Sequence, residues 1–278
     1  MSRIQNILEK AEREGAVRRV RPQVEDMTAV GTVDGRAAMT PPLASPSAFE
    51  APEPAAPIAT PVPLVRVVTG TRLSPPLLAA LSPSTAAEQY RALRTRIVHS
   101  ETGGPVNVVL ITSPGRGDGK SLTAANLGLA MAQEYQQRIC VVDADFRSPQ
   151  QRRLFGLPET PGLADVLLSR ATIEEAVIEL EEHHISVLPA GSQSAHPAEL
   201  FGTTTMRRTL ETLRSRFDRI VIDSPAATPL ADVGILAPLV DSIVLIVRAG
   251  YTSKPAIHDA IAAIDAAKLL GVVLNEAA

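Results

Sequence analysis

The sequence is poor in cysteine, aromatic residues and basic charge. Its 278 residues include one Cys, five Phe, three Tyr and no Trp. A single cysteine excludes an intrachain disulfide framework and a cysteine-based zinc site, and it is typical of a reducing compartment. The formal net charge of −3 and the pI of about 6.0 give no overall basic field, so we expect no nucleic-acid partner.

Long apolar runs are also missing. Residues 1–15 are polar and lack the apolar stretch of a secretory signal. The longest apolar stretch, residues 235–247, is interrupted by Pro238 and Asp241. It is shorter than the ~18–20 residues needed to cross a bilayer. The sequence therefore predicts a cytoplasmic protein, for which any recruitment to the inner face of the membrane needs a partner.

Proline is abundant but unevenly placed, since residues 41–83 hold 11 of the 23 prolines. A segment of Pro and Ala buries too little apolar area to offset its ordering entropy. We therefore expect an N-terminal helix within residues 1–22, a disordered Pro/Ala-rich linker at 23–72 and a nucleotide-binding domain at 73–278. The helix at residues 2–14 is either a frayed terminus or a docking helix for a partner or the main domain.

The rest of the chain alternates β-branched apolar runs with helical patterns. A helix is predicted to follow Ser84, which can cap it. The alternation is typical of an α/β fold with a doubly wound, mainly parallel sheet and helices on both faces. Six runs predict strands, at residues 106–112, 139–143, 185–188, 219–223, 243–247 and 272–274.

A glycine-rich segment, SPGRGDGKS at residues 113–121, follows the first strand run and precedes a helical pattern. Its glycines allow several backbone N–H groups to converge on one anion, and the helix N-terminus adds its positive dipole end. Pro114 replaces the first glycine of the usual P-loop NTPase motif, but the strand–loop–helix context is the one that the motif requires.

The segment predicts a phosphate site for a nucleotide. The Lys120 ammonium supplies a charge for the β- and γ-phosphates, and the Ser121 hydroxyl is a hard oxygen ligand for Mg²⁺. The residues expected to bind the cofactor are Gly115, Arg116, Gly117, Asp118, Gly119, Lys120, Ser121 and Leu122.

Three aspartates stand at the ends of two strand runs: Asp143, Asp145 and Asp223. Ligands of an open parallel sheet bind beyond the carboxyl ends of its strands, so we expect these carboxylates beside the phosphate loop. One can hold Mg²⁺, and another can accept the proton of an attacking hydroxyl or orient a water. For each aspartate alone, a turn-forming or capping role is the alternative.

Taken together, SPGRGDGKS, VVDADFRSP and IVIDSPA resemble the bacterial tyrosine kinases of capsular and exopolysaccharide synthesis, P-loop proteins related to the ParA/MinD ATPases. The segments AAEQYRALRTR, LPAG, APLVD, VRAG and GVVLN agree in order, and the resemblance covers roughly residues 84–275. The ParA/MinD lysine early in the loop is Gly115 here, which favours the kinase branch.

The resemblance implies ATP and Mg²⁺ as cofactors, and it also implies a homo-oligomer assembled through a Glu-x-x-Arg-x-x-Arg helix. A solvated charged face is the alternative explanation of that helix pattern. The implied roles are catalysis by Lys120, Asp143 and Asp145, Mg²⁺ binding by Ser121, Asp143 and Asp223, contact with the base by Asn275, and oligomerisation by Glu88, Arg91 and Arg94.

The implied function is an ATP-dependent protein-tyrosine kinase of exopolysaccharide biosynthesis or export. Its activator would be a separate, membrane-embedded polysaccharide co-polymerase, and its tyrosine substrate would come from another chain. The family's tail carries a tyrosine cluster, whereas residues 252–278 contain no Tyr. We therefore expect no tail autophosphorylation, and we predict that Tyr90 and Tyr135 are core residues and that Tyr251 is exposed. The alternatives are a ParA/MinD-like ATPase switch and a scaffold with an inactive site.

Overall fold

The computed structural model describes residues 66–77, 83–100, 106–134, 137–192, 197–228, 231–265 and 267–276. All of them belong to one compact unit, Ile58–Ala278. The predicted N-terminal helix, most of the predicted linker and Tyr135 lie outside the described residues. Within the described ranges, no helix is both long enough and apolar enough to cross a membrane.

Eight strands form one sheet in the order β1-β4-β5-β3-β6-β2-β7-β8. The six strands from β5 to β8 in that order are mutually parallel, whereas β4 is antiparallel to β5, and β1 pairs with β4 in parallel. The predicted α/β fold with a mainly parallel sheet is therefore confirmed. The strands are β1 Arg66–Val68, β2 Val108–Thr112, β3 Ile139–Asp143, β4 Ile178–Leu180, β5 Ile185–Leu188, β6 Arg219–Asp223, β7 Ser242–Arg248 and β8 Leu269–Asn275.

Two strands, β1 and β4, were not among the six that the sequence predicts. Each has three residues, which is too short for an alternating or continuous apolar pattern to emerge. They pair with each other at one edge of the sheet, in register from Arg66 with Ile178 to Val68 with Leu180. Because β1 lies before residue 73, regular structure begins inside the segment that the sequence assigns to the linker.

Helices cover both faces of this sheet. The first helix begins directly after Ser84, as the sequence predicts. The Ser84 side chain caps it by accepting a hydrogen bond from the Ala87 N–H at 3.2 Å. Single 3₁₀ turns occur at Pro75–Leu77, Glu181–His183 and Ala237–Leu239. The α-helices are α1 Thr85–His99, α2 Lys120–Ala132, α3 Gln151–Leu154, α4 Leu163–Leu167, α5 Ile173–Ala176, α6 Pro197–Phe201, α7 Thr204–Arg216, α8 Asp232–Leu236 and α9 Lys254–Ala262.

The sheet divides the apolar interior into two cores. Alternate residues of β2 enter different cores, with Val108 and Leu110 in one and Val109 and Ile111 in the other, as the period of a strand requires. Helices α7, α8 and α9 contribute to the first core, and α1 and α2 to the second. Burial on both faces explains why the central strands read as continuous apolar runs.

Helix α2 follows the glycine-rich loop and lies between α1 and the sheet, with nearly all of its residues buried. Helix α1 is fastened to it by polar contacts as well as apolar ones. The Arg94 guanidinium donates to the Ala130 carbonyl at 2.8 Å. Burial raises the pKa of the Tyr90 hydroxyl, although side-chain hydrogen bonds with Thr123 and Asn126 act in the opposite direction. Tyr90 therefore belongs to the interior, as predicted.

Candidate active site

The glycine-rich loop joins β2 to α2 and is held in shape by its own aspartate. Gly117 and Gly119 have φ angles of 84° and 97°, in the left-handed region that favours glycine. The buried Asp118 carboxylate accepts a hydrogen bond from the Gly115 N–H at 2.8 Å. Because α2 begins at Lys120, this curled backbone leads directly into a helix N-terminus, the arrangement that binds phosphate.

Two residues from distant parts of the chain also hold the loop. The Thr252 hydroxyl donates to Asp118 Oδ1 at 2.7 Å, and the Asn275 amide donates to the Asp118 carbonyl oxygen at 3.0 Å. Asn275 is the last residue of β8, so the edge strand ends against the phosphate loop. Its predicted contact with a nucleotide base stays a prediction.

Replacement of Gly119 by Ala is expected to lower the free energy of unfolding by about 1–3 kcal/mol. Its φ of 97° is unfavourable for any residue with a Cβ, and the added atom would overlap the Asn275 side-chain amide. Urea unfolding, monitored by circular dichroism, measures the change in the free energy of unfolding. Gly115→Ala is the matched control, since its Cβ would meet only Asp118 Oδ2 at 3.6 Å. Equal stability of the two variants would contradict the constraint at Gly119.

Lys120 lies opposite the second strand-end aspartate rather than in solvent. Its ammonium is 2.8 Å from Asp145 Oδ2, and only 9% of the Lys120 side chain and 5% of the Asp145 side chain is exposed. The other Asp145 oxygen accepts from the Ser148 N–H at 3.0 Å. A buried ion pair of this kind keeps both charges beside the phosphate loop and leaves each dependent on its partner.

Asp143 and Asp223 occupy equivalent positions on neighbouring strands, β3 and β6, where they are register partners. Both side chains are fully buried. Burial raises the pKa of Asp143 well above its usual range, and the nearby Asp223 charge raises it further. Burial also raises the pKa of Asp223, to about 6, although the Lys120 charge opposes the shift. Two desolvated carboxyls so close together favour a cation between or beside them.

Gln151, which the sequence analysis did not select, connects this cluster. Its side-chain amide donates to Asp223 Oδ2 at 2.8 Å and to the Ser121 carbonyl oxygen at 3.0 Å. Its backbone N–H donates to Asp143 Oδ2 at 2.9 Å, and the residue is fully buried. The sequence around Gln151 contains no motif that marks this residue as part of the site. Only the fold, which places it beside Asp143 and Asp223, identifies it.

The donor set fits Mg²⁺. Asp223 Oδ1 is buried without a hydrogen-bond partner, and the Ser121 side chain hydrogen-bonds with the same carboxyl group. In the part of the chain that the structure describes, no three His, Cys, Asp or Glu side chains come together as a metal cluster. Such a site suits an ion that takes few protein oxygens and completes its shell with phosphate and water, as Mg²⁺ does.

The remaining predicted residues lie at different depths. Arg116 is exposed and donates to the Ser148 hydroxyl, while Leu122 packs against the core that α1 and α2 share. The fold thus brings the loop residues, Lys120, Ser121 and the three strand-end aspartates to one edge of the sheet. Their roles in binding and catalysis stay predictions.

Helix α1 carries the predicted oligomerisation residues, and they differ in their contacts. Glu88 and Arg91 form an exposed ion pair one turn apart. Arg94 instead donates to α2, as described above. The first two residues are therefore accessible to another chain, whereas Arg94 also stabilises the subunit itself.

Comparison with known proteins identifies the family. Residues 106–271 match the family described as AAA domain. A tyrosine-protein kinase of Bacillus subtilis, YwqD, is 35% identical over 209 residues, which cover 74% of this chain and 88% of that protein. The chain belongs to the bacterial tyrosine-protein kinases. The sheet edge described above is thus the candidate active site of an enzyme of this family.

Two further relatives of these kinases are informative. The crystal structure of the chimerical protein CapA2B2 has a TM-score of 0.69 and 31% identity, and the match covers 75% of this chain and 92% of that one. The succinoglycan biosynthesis transport protein ExoP of Rhizobium meliloti is 30% identical over 69% of this chain, which spans only 25% of ExoP. The proteins similar to this chain therefore include both short chains and much longer ones.

Proposed function

We propose that the protein is an ATP- and Mg²⁺-dependent protein-tyrosine kinase that regulates exopolysaccharide biosynthesis or export. One observation carries the proposal. The phosphate loop, the Lys120–Asp145 ion pair and two further buried aspartates lie together at one edge of the sheet. Membership in the tyrosine-kinase family supports the choice of a protein tyrosine as the acceptor.

Each group at the edge has a role in this proposal. The loop N–H groups and the Lys120 ammonium bind the β- and γ-phosphates and neutralise charge that develops during transfer. Asp145 accepts the proton of the attacking tyrosine hydroxyl once Lys120 has turned to the phosphates, and Asp143 supports it. Ser121, Asp223 and Asp143 would hold Mg²⁺, which would supply charge neutralisation at the phosphate oxygens.

The comparison with a longer relative supports the proposal of a membrane partner. The printed name of ExoP is that of a biosynthesis transport protein, and this chain matches only a quarter of its length. We propose that a separate, membrane-embedded polysaccharide co-polymerase takes the place of the part of ExoP that this chain does not match. This partner activates the kinase at the inner face of the membrane.

We further propose that the kinase forms a homo-oligomer through the exposed Glu88–Arg91 pair of α1. Sedimentation velocity of a Glu88→Ala, Arg91→Ala double variant tests this interface. A shift to smaller species supports it, and an unchanged distribution argues against it. Arg94→Ala is unsuitable for this purpose because it also removes the contact with the Ala130 carbonyl.

The function is tested by incubating the full chain with labelled ATP, Mg²⁺ and a copolymer of Glu and Tyr, with and without the candidate co-polymerase. Phosphotyrosine on the copolymer or on the chain supports the proposal. Release of phosphate with no phosphotyrosine under either condition would overturn it in favour of a ParA/MinD-like ATPase switch, which the dispersed tyrosines make the second candidate.

Gln151→Leu is expected to weaken Mg²⁺-dependent activity by about 10–100-fold, the usual effect of removing a group that orients a metal ligand. The variant loses the donors that hold Asp223 and the Ser121 carbonyl. A titration of activity against Mg²⁺ concentration measures the shift. Gln150→Leu is the control. The Gln150 side chain donates to nearby backbone carbonyls and accepts from the exposed Arg153, away from the aspartates, so its loss should leave the titration unchanged.

A further inference from the structure

Tyr251 differs from the other tyrosine that the structure describes. Tyr251 has 67% of its surface exposed, whereas Tyr90 is held between α1 and α2. Tyr251 lies in the short loop between β7 and α9. That loop follows the carboxyl end of a parallel strand, so it stands at the same edge as the phosphate loop.

A cation lies next to this ring. The Arg248 guanidinium carbon is 5.0 Å from the centroid of Tyr251, a cation–π distance. Arg248 also forms an ion pair with Glu276 at 2.7 Å, and both side chains are partly exposed. A phosphate on the tyrosine would carry about −1.5 to −2 charges at neutral pH and would compete with Glu276 for this guanidinium.

We propose that Tyr251 is a phosphorylation site that a second copy of the chain modifies, with Arg248 as the cation that receives the phosphate. The proposal rests on the kinase activity proposed above. The γ-phosphorus loses its bond to the oxygen bridging to the β-phosphate and forms a bond to the Tyr251 hydroxyl oxygen. ADP leaves with the electron pair of the broken bond, and the hydroxyl proton passes to an aspartate of the second copy.

The sheet order explains why the donor is a second copy. Strand β7 is separated from β3, which carries Asp143, by β2 and β6. Three strand spacings amount to about 14 Å, more than a tyrosine side chain spans. The Arg248 contact also holds the ring beside its own strand. The Tyr251 hydroxyl is therefore out of reach of the aspartates of β3, and its exposed ring is available to another molecule.

The modification would be connected to the phosphate loop. The Thr252 hydroxyl, next in sequence, accepts from the Arg248 N–H at 3.0 Å and donates to Asp118 at 2.7 Å. Glu276, the present partner of Arg248, follows Asn275, which donates to the Asp118 carbonyl. A phosphate on Tyr251 would lie next to Thr252 and would compete with Glu276, the neighbour of Asn275. It would therefore affect both residues that hold the phosphate loop from outside, Thr252 and Asn275.

The sequence makes the site easy to monitor. Trypsin cleaves after Lys and Arg but not before Pro, so each tyrosine falls in a different peptide: Tyr90 in 73–91, Tyr135 in 121–138 and Tyr251 in 249–268. Substitution of Lys120 removes one cleavage site and extends the Tyr135 peptide to 117–138. An affinity-tagged acceptor chain carrying Lys120→Met and Asp145→Asn is mixed with the untagged wild-type chain, ATP, Mg²⁺ and the Glu–Tyr copolymer. Phosphopeptides of the re-isolated acceptor and of the separated donor are then measured by mass spectrometry.

We expect phosphate on peptide 249–268 of the acceptor and its loss in a Tyr251→Phe acceptor, with copolymer phosphorylation unchanged. Copolymer phosphorylation without phosphate on that peptide overturns the inference and leaves the kinase function standing. Phosphate on the donor's peptide alone overturns transfer between copies. The mixture is also tested with the candidate co-polymerase added, and absence of phosphotyrosine from every substrate under both conditions overturns the kinase function, and the inference with it.

Arg248 has its own test, which does not depend on the rate of transfer. In the phosphorylated chain, ³¹P NMR should give a second phosphate pKa below its ordinary value of about 6, because the guanidinium stabilises the dianion. Arg248→Gln should return that pKa to the ordinary value. An ordinary pKa in the phosphorylated wild-type chain would show that Arg248 does not receive the phosphate.

Discussion

Replacement of Lys120 by Met is expected to reduce phosphotransfer by a factor on the order of 10³ or more, the usual effect of removing a preorganised charge that stabilises a transferring phosphoryl group. Lys120 is the first residue of α2, and its side chain lies among the strand-end aspartates. Phosphotyrosine formation on the Glu–Tyr copolymer measures the loss. A variant that retains more than a tenth of the wild-type rate would contradict the role of this lysine.

The same substitution has a second effect that must be separated from the first. Asp145 loses the ammonium 2.8 Å from its carboxylate and becomes a buried charge without a counter-ion. Removal of one partner of a buried pair costs about 3 kcal/mol or more, so part of the lost activity could reflect unfolding. Urea unfolding of the Lys120→Met variant measures this loss of stability directly. The double variant with Asp145→Asn removes the unpaired charge and should recover stability, although it also lacks the proposed base and so tests folding only.

Lys254→Met provides the matched control for the lysine substitution. Lys254 is exposed at the first position of α9. Its removal takes away the same charge from the surface, and we expect activity and stability to stay unchanged. Equal losses in the Lys120 and Lys254 variants would point to net charge rather than to the phosphate site.

The second large effect is expected for Asp223→Asn, which should stabilise the ligand-free protein while it removes Mg²⁺-dependent activity. The ionised Asp223 carboxylate is fully buried, and its pKa of about 6 lies above the ordinary value of about 4. At neutral pH the native state must keep this charge desolvated, which costs about 3 kcal/mol relative to the unfolded chain. Asparagine avoids that cost and keeps an oxygen that can accept from Gln151.

The pH dependence fixes the sign of this effect. Between about pH 4 and pH 6 the native state binds the Asp223 proton and the unfolded chain does not, so stability falls as pH rises. The stability gain of Asp223→Asn should therefore be absent near pH 4 and reach its full size above pH 6. Urea unfolding of both proteins across this range, without nucleotide or metal, measures it. A variant no more stable than wild type at about pH 7.5 would contradict the argument.

Asp241→Asn is a control for which we expect the opposite change in stability. Asp241 lies just before β7, and it accepts from the N–H groups of Asn107 and Val108 and from the Arg214 guanidinium. Burial acts to raise its pKa, but the Arg214 contacts and these N–H donors prevail and lower it. Stability from Asp241 is thus present at neutral pH and lost on acidification, so this variant should be less stable at neutral pH.

Much of the fold could be predicted because its central strands are buried on both faces. Continuous β-branched runs mark strands such as β2 and β3, and the helical period marks α1. The three-residue strands β1 and β4 escaped detection, because their sequences carry no period and their pairing depends on the edge beside β5.

The sequence by itself determined the phosphate loop, Lys120, Ser121 and the strand-end aspartates. These groups lie next to the strands that present them, and parallel strands necessarily bring their carboxyl ends to one edge. Only the tertiary structure decided that Lys120 pairs with Asp145, that Gln151 holds Asp223 across 72 positions, and that Asn275 reaches Asp118 across 157. Such contacts depend on packing between distant segments, and no local pattern of residues encodes them.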